Sequence, residues 1–204
     1  SSMAQPLEFQ GTRVWKSFLN RDAQQTMLGD LRNLANRAPL RRYTTPGGKH
    51  MSVRMSGAGA LAWMSDASGY RYAEQQPDGA AWPAIPESIL RVWNAVAGVS
   101  QQPDSCLVNF YGQGAKMGLH QDRDEVNTDW PVISISLGDD AMFRVGGVAR
   151  RDPTKSIWLS SGDVVVLTGA SRLAYHGIDR IKFGSSTLLE RGGRINVTLR
   201  VAGR

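Results

Sequence analysis

Arg194-Ile195-Asn196-Val197-Thr198-Leu199-Arg200-Val201, close to the C-terminus, decides the fold. Every even position is polar or charged and every odd one is β-branched or aliphatic, so the segment reads as a strand with Arg194, Asn196, Thr198 and Arg200 on one face. Two readings compete. As a surface strand it packs its odd face on a core and shows both arginines to water. As an interior strand it offers an inward row with two guanidinium forks, which suits a dicarboxylate because arginine pairs with carboxylates bidentately and stays charged. Working outward, short β-rich segments recur between turns at 106–111, 132–137, 142–145, 157–159, 164–167 and 173–178. Many short strands with frequent turn signals predict a sandwich or barrel, and a two-sheet jelly roll (double-stranded β-helix) fits the count.

The first hundred residues read differently, which makes the chain α+β, mainly β. Residues 22–37 predict a helix with Met27, Leu28, Leu31, Leu34 and Ala35 on one face, Asp22 as its cap and Pro39 as its stop. Arg41-Arg42-Tyr43-Thr44-Thr45-Pro46-Gly47-Gly48 is a basic, turn-rich loop. The alternation at Met51–Met55, with Ala60–Trp63 and Tyr70–Tyr72 flanking a turn at Ser68-Gly69, predicts a hairpin. Ile89, Val92, Trp93, Val96 and Ala97 mark a second helix, with Gly98 as its C′ residue. These elements predict a helical and hairpin platform beside the jelly roll. With 204 residues, one domain is expected, divided into 1–40 (extension and helix), 41–100 (hairpin and supporting helix) and 101–204 (jelly-roll core).

The formal charge of +6 and pI near 9.8 favour a polyanionic partner. A single cysteine, Cys106, excludes an internal disulfide; its apolar neighbours predict a buried strand thiol, and a reducing compartment fits. No run approaches the roughly 20 apolar residues of a membrane helix, and the start lacks the features of a signal peptide. A soluble, intracellular, cytoplasmic protein is therefore expected. Ser1-Ser2 ahead of Met3 reads as an expression remnant and stays outside the fold argument.

The chemistry concentrates upstream of the opening strand, between Asn109 and Glu125. His120 and Asp122 are two apart, so on an extended segment both point to one face and can reach one ion. His176 is the best distant third ligand, because His50 lies in the loop beside Gly47-Gly48. Two histidines and a carboxylate with open positions form the facial arrangement of non-haem Fe(II) oxygenases. Zinc accepts the same ligands, and a hydrolytic site also keeps an open position. The two-arginine strand favours iron with 2-oxoglutarate.

At this point the chain resembles a known family, the AlkB-type Fe(II)/2-oxoglutarate-dependent dioxygenases that repair alkylated nucleic acids, and their bacterial members most closely. The likeness runs from about Thr45 to Val201. It is carried by Asn109-x-Tyr111, Gly114-Ala115-Lys116, Leu119-His120-Gln121-Asp122 with Asp124-Glu125, Ser134-x-Ser136-Leu137-Gly138, Gly162-Asp163-Val164-Val165-Val166, Ser171-Arg172-Leu173-x-Tyr175-His176-Gly177 and Arg194-x-Asn196-x-Thr198-x-Arg200. The resemblance implies that His120, Asp122 and His176 bind Fe(II), and that Asn109, Tyr111, Arg194, Asn196 and Arg200 anchor 2-oxoglutarate. It further implies that Trp63, Tyr70 and His120 sandwich the alkylated base, that Asp124 lies near that base, and that Thr45 and Arg150 face the strand or the base. The hairpin around Trp63 and Tyr70 corresponds to a nucleotide-recognition lid. Glu125 is left without a role.

The implied reaction is oxidative demethylation of N1-methyladenine and N3-methylcytosine in DNA, with RNA as a further substrate, by a monomer that consumes O2 and 2-oxoglutarate and releases formaldehyde. Arg41, Arg42, Lys49, Arg54, Arg71, Arg150, Arg151 and Lys155 are candidate phosphate contacts, of which only some are expected to touch the backbone. Phe110, Ile195 and Leu167 depart from the family's usual residues, which bears on substrate preference. Two other readings stay open on the residues alone: an Fe(II)/2-oxoglutarate hydroxylase of a small molecule or protein side chain, and a non-catalytic nucleic-acid-binding jelly roll.

Overall fold

The computed structural model describes residues 5–204, so Ser1-Ser2, expected to be an expression remnant, lie outside the described residues. In chain order the elements are β1 (Leu7–Phe9), β2 (Thr12–Trp15), α1 (Arg21–Arg37), β3 (Arg54–Gly59), β4 (Ala62–Asp66), β5 (Gly69–Ala73), α2 (Glu87–Val96), β6 (Ser105–Tyr111), β7 (Met117–His120), β8 (Val132–Gly138), β9 (Asp140–Val145), β10 (Lys155–Leu159), β11 (Val164–Leu167), β12 (His176–Lys182) and β13 (Arg194–Arg200). Seven strands form a major sheet in the order β1-β2-β11-β8-β13-β6-β3, and four form a minor sheet in the order β10-β9-β12-β7. All pairings between these strands are antiparallel. The two sheets face each other across one cavity lined from both sides, which is the jelly-roll arrangement expected from the strand count.

β13 settles the question its alternation posed. It lies between β6 and β8, and Arg194, Asn196, Thr198 and Arg200 are all buried, so the polar row faces inward and the solvent-facing reading falls. The odd residues Val197 and Leu199 are buried too, on the sheet's other face. That face is covered by α1, whose Leu28, Leu31 and Leu34 share a groove with Val108, Phe110 and Ile195.

Several local expectations are corrected. The helix begins one residue earlier than expected, and its cap is Asn20, whose Oδ1 accepts from the Ala23 N–H at 2.9 Å; Asp22 sits inside the first turn, where its charge still favours the helix dipole. The first hundred residues are not only a platform, because β1 and β2 extend the major sheet beyond β11 and β3 forms its opposite edge. Their short length and mixed polarity hide them from a periodicity argument. The hairpin is confined to β4 and β5, with Asp66 paired to Gly69; Met51–Val53 lie outside any strand. The segment expected at 173–178 begins only at His176, since Ser171, Arg172 and Ala174 close tight turns through Ser171 N–Thr168 O, Arg172 N–Gly169 O and Ala174 N–Ser171 O bonds. The second helix ends as expected, with Gly98 at φ +71° just past the Ala97 cap. Cys106 is fully buried on β6, and burial pushes its thiol up to about 12, out of nucleophilic range.

Candidate metal and cosubstrate site

The strand register builds the site. In the minor sheet β12 pairs with β7 so that His176 stands opposite His120. Gly177 makes this approach close: a Cβ there would lie 2.6 Å from the Met117 carbonyl oxygen, nearer than any side chain tolerates. The two imidazole centroids are 4.6 Å apart, and Asp122, two residues past the end of β7, returns its carboxylate between them. Nε2 of His120 lies 3.7 Å from Asp122 Oδ1, and Nε2 of His176 lies 3.8 Å from Oδ2. One ligand atom from each of the three residues falls within 4.8 Å of the others.

The backbone sets the tautomers. His120 Nδ1 is 2.9 Å from the Gly118 carbonyl and His176 Nδ1 is 3.0 Å from the Ala174 carbonyl, so each Nδ1 carries the proton and donates it. Both Nε2 lone pairs are left facing the carboxylate, the orientation a divalent cation needs. Asp122 Oδ2 is buried without a hydrogen-bond partner. Two imidazoles that turn Nε2 toward one under-satisfied carboxylate form an oxygen and nitrogen donor set that fits Fe(II).

Electrostatics agree with that fit. Burial by itself raises the Asp122 carboxyl, but the Arg200 guanidinium above all, then His176, His120 and Arg172, hold it well below the usual carboxylate range. Burial, reinforced by repulsion from His120, pushes His176 down to about 4, and Asp122 and the Ala174 carbonyl offset this only in part. Below the ordinary histidine value near 6.5 the unfolded chain therefore takes up a proton that folded His176 refuses. In the metal-free protein this contribution to stability is complete above about pH 6.5 and is lost as pH falls toward 4. Melting temperature measured on metal-free protein is expected to decline through that window, with a shallower decline in His176→Gln.

The row expected to hold the cosubstrate lies beside the triad. Arg194, Asn196, Thr198 and Arg200 of β13, Asn109 and Tyr111 of β6 and Ser134 of β8 line the same cavity as His120, Asp122 and His176. Its volume of about 60 Å³ is several times the roughly 10–15 Å³ that holds one water, so it admits a small organic molecule. Cross-strand pairing gathers the row, with Arg194 opposite Tyr111 and Asn196 opposite Asn109. Arg194 donates from Nη2 to Ser136 Oγ at 2.8 Å and stacks over the Tyr111 ring at 5.2 Å, while its Nε and Nη1 find no partner. Arg200 donates from Nη2 to Asp122 Oδ1 at 3.3 Å, and its Nε and Nη1 are likewise buried without partners. Buried guanidinium donors without acceptors are costly, and a dicarboxylate satisfies them.

The residues expected at the base are placed less tightly. Trp63 and Tyr70 stack on each other across the hairpin, with centroids 5.3 Å apart, rather than holding a gap between Trp63 and His120. Trp63 Nε1 donates to Asp124 Oδ2 at 3.1 Å, which ties the hairpin to the segment after His120 and Asp122. Tyr70 is half exposed. Thr45 sits in the tight turn closed by Gly48, and Arg150 lies 4.9 Å above the Tyr175 ring. None of Trp63, Tyr70, Asp124, Thr45 or Arg150 lines the central cavity.

One buried cluster escaped the sequence reading. Arg172 donates from Nη2 to Glu125 Oε1 at 2.5 Å, from Nη1 to the Asp122 carbonyl at 2.5 Å and from Nε to the Trp130 carbonyl at 2.6 Å. Tyr72 of the hairpin donates to Glu125 Oε2 at 2.7 Å. Glu125 thus acquires a place: it links the hairpin, through Arg172, to the backbone of Asp122. The signal was the arginine in Ser171-Arg172-Leu173, just ahead of the second histidine, but nothing in its spacing named a partner fifty residues away.

An inward arginine row beside a His-x-Asp and a distant histidine, inside a jelly roll, defines an Fe(II)- and 2-oxoglutarate-dependent oxygenase. The sequence pattern of the 2OG-Fe(II) oxygenase superfamily matches residues 11–200. The alpha-ketoglutarate-dependent dioxygenase AlkB homolog of Caulobacter vibrioides is 52% identical over 193 residues, covering 94% of this chain and 88% of that protein. The alpha-ketoglutarate-dependent dioxygenase AlkB of Escherichia coli K12 is 42% identical over 188 residues, covering 90% and 87%. The solved structure of OsALKBH1 superposes with a TM-score of 0.80 at 32% identity, covering 94% of this chain and 98% of that one. The chain belongs to the 2OG-Fe(II) oxygenase superfamily and, within it, to the AlkB family of dioxygenases.

Proposed function

We propose that His120, Asp122 and His176 bind Fe(II), that Arg194, Asn196 and Arg200 with Asn109 and Tyr111 hold 2-oxoglutarate, and that the enzyme oxidatively removes alkyl groups from nucleic-acid bases. The convergence of both Nε2 atoms on Asp122, in a cavity that also holds two under-satisfied arginines, carries this reading. When bound, Fe(II) with O2 and 2-oxoglutarate supplies oxidation of a methyl C–H bond, with succinate and CO2 as coproducts. Oxidation suits the problem, because a methyl on a ring nitrogen offers no readily hydrolysed bond; once hydroxylated, it leaves as formaldehyde and the base is restored.

The chain's own residues orient this chemistry. Arg200 adjoins Asp122 and Arg194 lies six residues along the strand, about 20 Å of backbone. The two therefore engage opposite ends of the diacid rather than one carboxylate jointly. Arg194, the more fully buried, takes the distal carboxylate with the Nε and Nη1 donors that Ser136 does not use. Trp63 and Tyr70 offer the aromatic surface for the base, and opening of their mutual stack admits it. N1-methyladenine and N3-methylcytosine carry positive charge near neutral pH, so Asp124 favours them over normal bases by Coulomb attraction. Because the alkyl group weakens pairing, damage itself lowers the cost of taking the base out of a duplex. We place this activity in a cytoplasmic monomer acting on DNA, with RNA as a further substrate. No helix among the described residues is long and apolar enough to cross a membrane.

The test is formaldehyde and succinate release from oligonucleotides carrying N1-methyladenine or N3-methylcytosine, dependent on Fe(II) and 2-oxoglutarate. No turnover by metal-loaded protein on either base overturns the assignment. Within the same assay Trp63→Ala is expected to raise KM for the oligonucleotide about 5- to 150-fold, the equivalent of roughly 1–3 kcal/mol of stacking, while leaving uncoupled 2-oxoglutarate turnover near wild type.

A further inference from the structure

The outer side of the major sheet carries a cleft that the reaction does not use. Arg42, Ser52, Arg54, Phe110 and the turn Gly112–Ala115 line about 470 Å³. On β6, the alternation that sends Asn109 and Tyr111 into the central cavity sends Phe110 to the opposite face, so this cleft is a separate site. We propose that it binds a phosphodiester of the nucleic-acid strand, outside the reacting nucleotide. The nature of the partner rests on the function proposed above.

What sets the cleft apart is that two basic residues without a carboxylate partner line the same hollow. Arg41 is taken up by Gln76 at 3.0 Å and Asp78 at 3.5 Å, and Arg71 by Asp66 at 2.8 Å, whereas Arg150, like Arg54, lies over an aromatic ring and keeps its donors. Arg42 and Arg54 have no acidic partner among the described residues, and no aspartate or glutamate lines the cleft. The Arg54 guanidinium lies 5.0 Å above the Phe110 ring, which holds it in place while its N–H donors stay available in their own plane. Two uncompensated cations facing one hollow mark an anion site.

The backbone supplies the second half of the site. The Ala115 N–H closes the turn on the Gly112 carbonyl at 3.1 Å, with Gly114 at φ +81°, and the N–H groups of Gln113 and Gly114 donate to no protein acceptor among the described residues. Successive free N–H groups in such a turn make a concavity that receives anions. The Phe110 ring and the arginine stems give the cleft an apolar wall of the kind a sugar covers, and its volume exceeds that of a lone phosphate ion.

Position ties the cleft to the substrate strand. Ser52 Oγ donates to the Lys116 carbonyl at 2.8 Å and accepts from the Lys116 N–H at 3.1 Å, which joins the rim to the start of β7, the strand that ends at His120. The segment from Arg42 to Ser52 also carries Thr45, and the Thr44 carbonyl accepts from Ser65 of the hairpin at 2.6 Å. A strand whose base enters beside the hairpin can follow this rim around the β3 edge of the sheet to Arg42 and Arg54.

The experiment compares a methylated trinucleotide with a methylated 15-mer on wild type, the double variant Arg42→Ala/Arg54→Ala and the charge-conserving Arg42→Lys/Arg54→Lys. Affinity for the 15-mer is read by fluorescence anisotropy across salt concentrations, and formaldehyde release is followed in parallel. The alanine variant is expected to bind the 15-mer more weakly, with a log K against log salt slope shallower by about 1.4 for two single-strand phosphate contacts. The trinucleotide kinetics and the melting temperature stay at wild-type values, and the lysine variant restores most of the slope. An unchanged slope, or an equal loss on both lengths, overturns the proposal. So does a thermal shift by inorganic phosphate that the alanine variant abolishes while its 15-mer binding is unaltered, which reassigns the cleft to a small anion. Failure of wild type to release formaldehyde sinks the functional reading instead, while anisotropy still reports on the cleft.

Discussion

Asp122→Ala is expected to abolish formaldehyde release and also to lower the stability of the metal-free protein by about 3–5 kcal/mol, the usual effect of stranding one member of a buried ion pair. The stranded group is Arg200, 7% exposed, which donates to Asp122 at 3.3 Å and whose Nε and Nη1 already lack partners. For a chain of this length that is a fall in melting temperature of roughly 6–20 °C, measurable by calorimetry without any metal. His120→Ala provides the contrast. Its side chain is 41% exposed and faces Asp122 at 3.7 Å, so activity should vanish while the melting temperature barely moves. Equal thermal losses in the two variants would show that Arg200 does not depend on Asp122.

Arg172→Met carries the second large effect. The substitution keeps most of the apolar stem but removes the donors to the Glu125 carboxylate, the Asp122 carbonyl and the Trp130 carbonyl. Glu125 is then buried with only the Tyr72 hydroxyl for company, again a loss of about 3–5 kcal/mol. Because the lost bond to Asp122 held the backbone of a proposed metal ligand, kcat is expected to fall about 10- to 100-fold, the range seen when groups that orient metal ligands are removed. Glu125→Gln keeps an acceptor for Arg172 and turns an amide N–H toward the Tyr72 hydroxyl oxygen, so it should lose less of each. An Arg172→Met enzyme with wild-type kcat would reduce the cluster to packing.

Much of the site was legible because its residues follow local rules. The period-two alternation of β13 put both arginines on one face, and the two-residue step from His120 to Asp122 put both donors within reach of one ion. The inward direction of that face was not legible, since alternation fixes which residues share a face but not which face meets the cavity. Neither was the opposition of His176 to His120, which depends on strand register. Residues 7–15 were passed over for another reason: three- and four-residue strands are too short to show a period, and β2 becomes a strand by pairing with β11, about 150 residues away. The Tyr72–Glu125–Arg172 cluster is wholly non-local, and only the fold reveals it.

Each histidine of the triad is steadied by a carbonyl two residues before it, Gly118 for His120 and Ala174 for His176. The rings are thus aimed by their own strands, independently of any ion. In small zinc-dependent domains the metal is part of the folding energy and its removal unravels the chain. If the triad holds Fe(II) as proposed, the ion meets rings already aimed by backbone carbonyls, so chelation should silence the enzyme reversibly, and reloading should proceed at the pace of ion capture rather than of refolding.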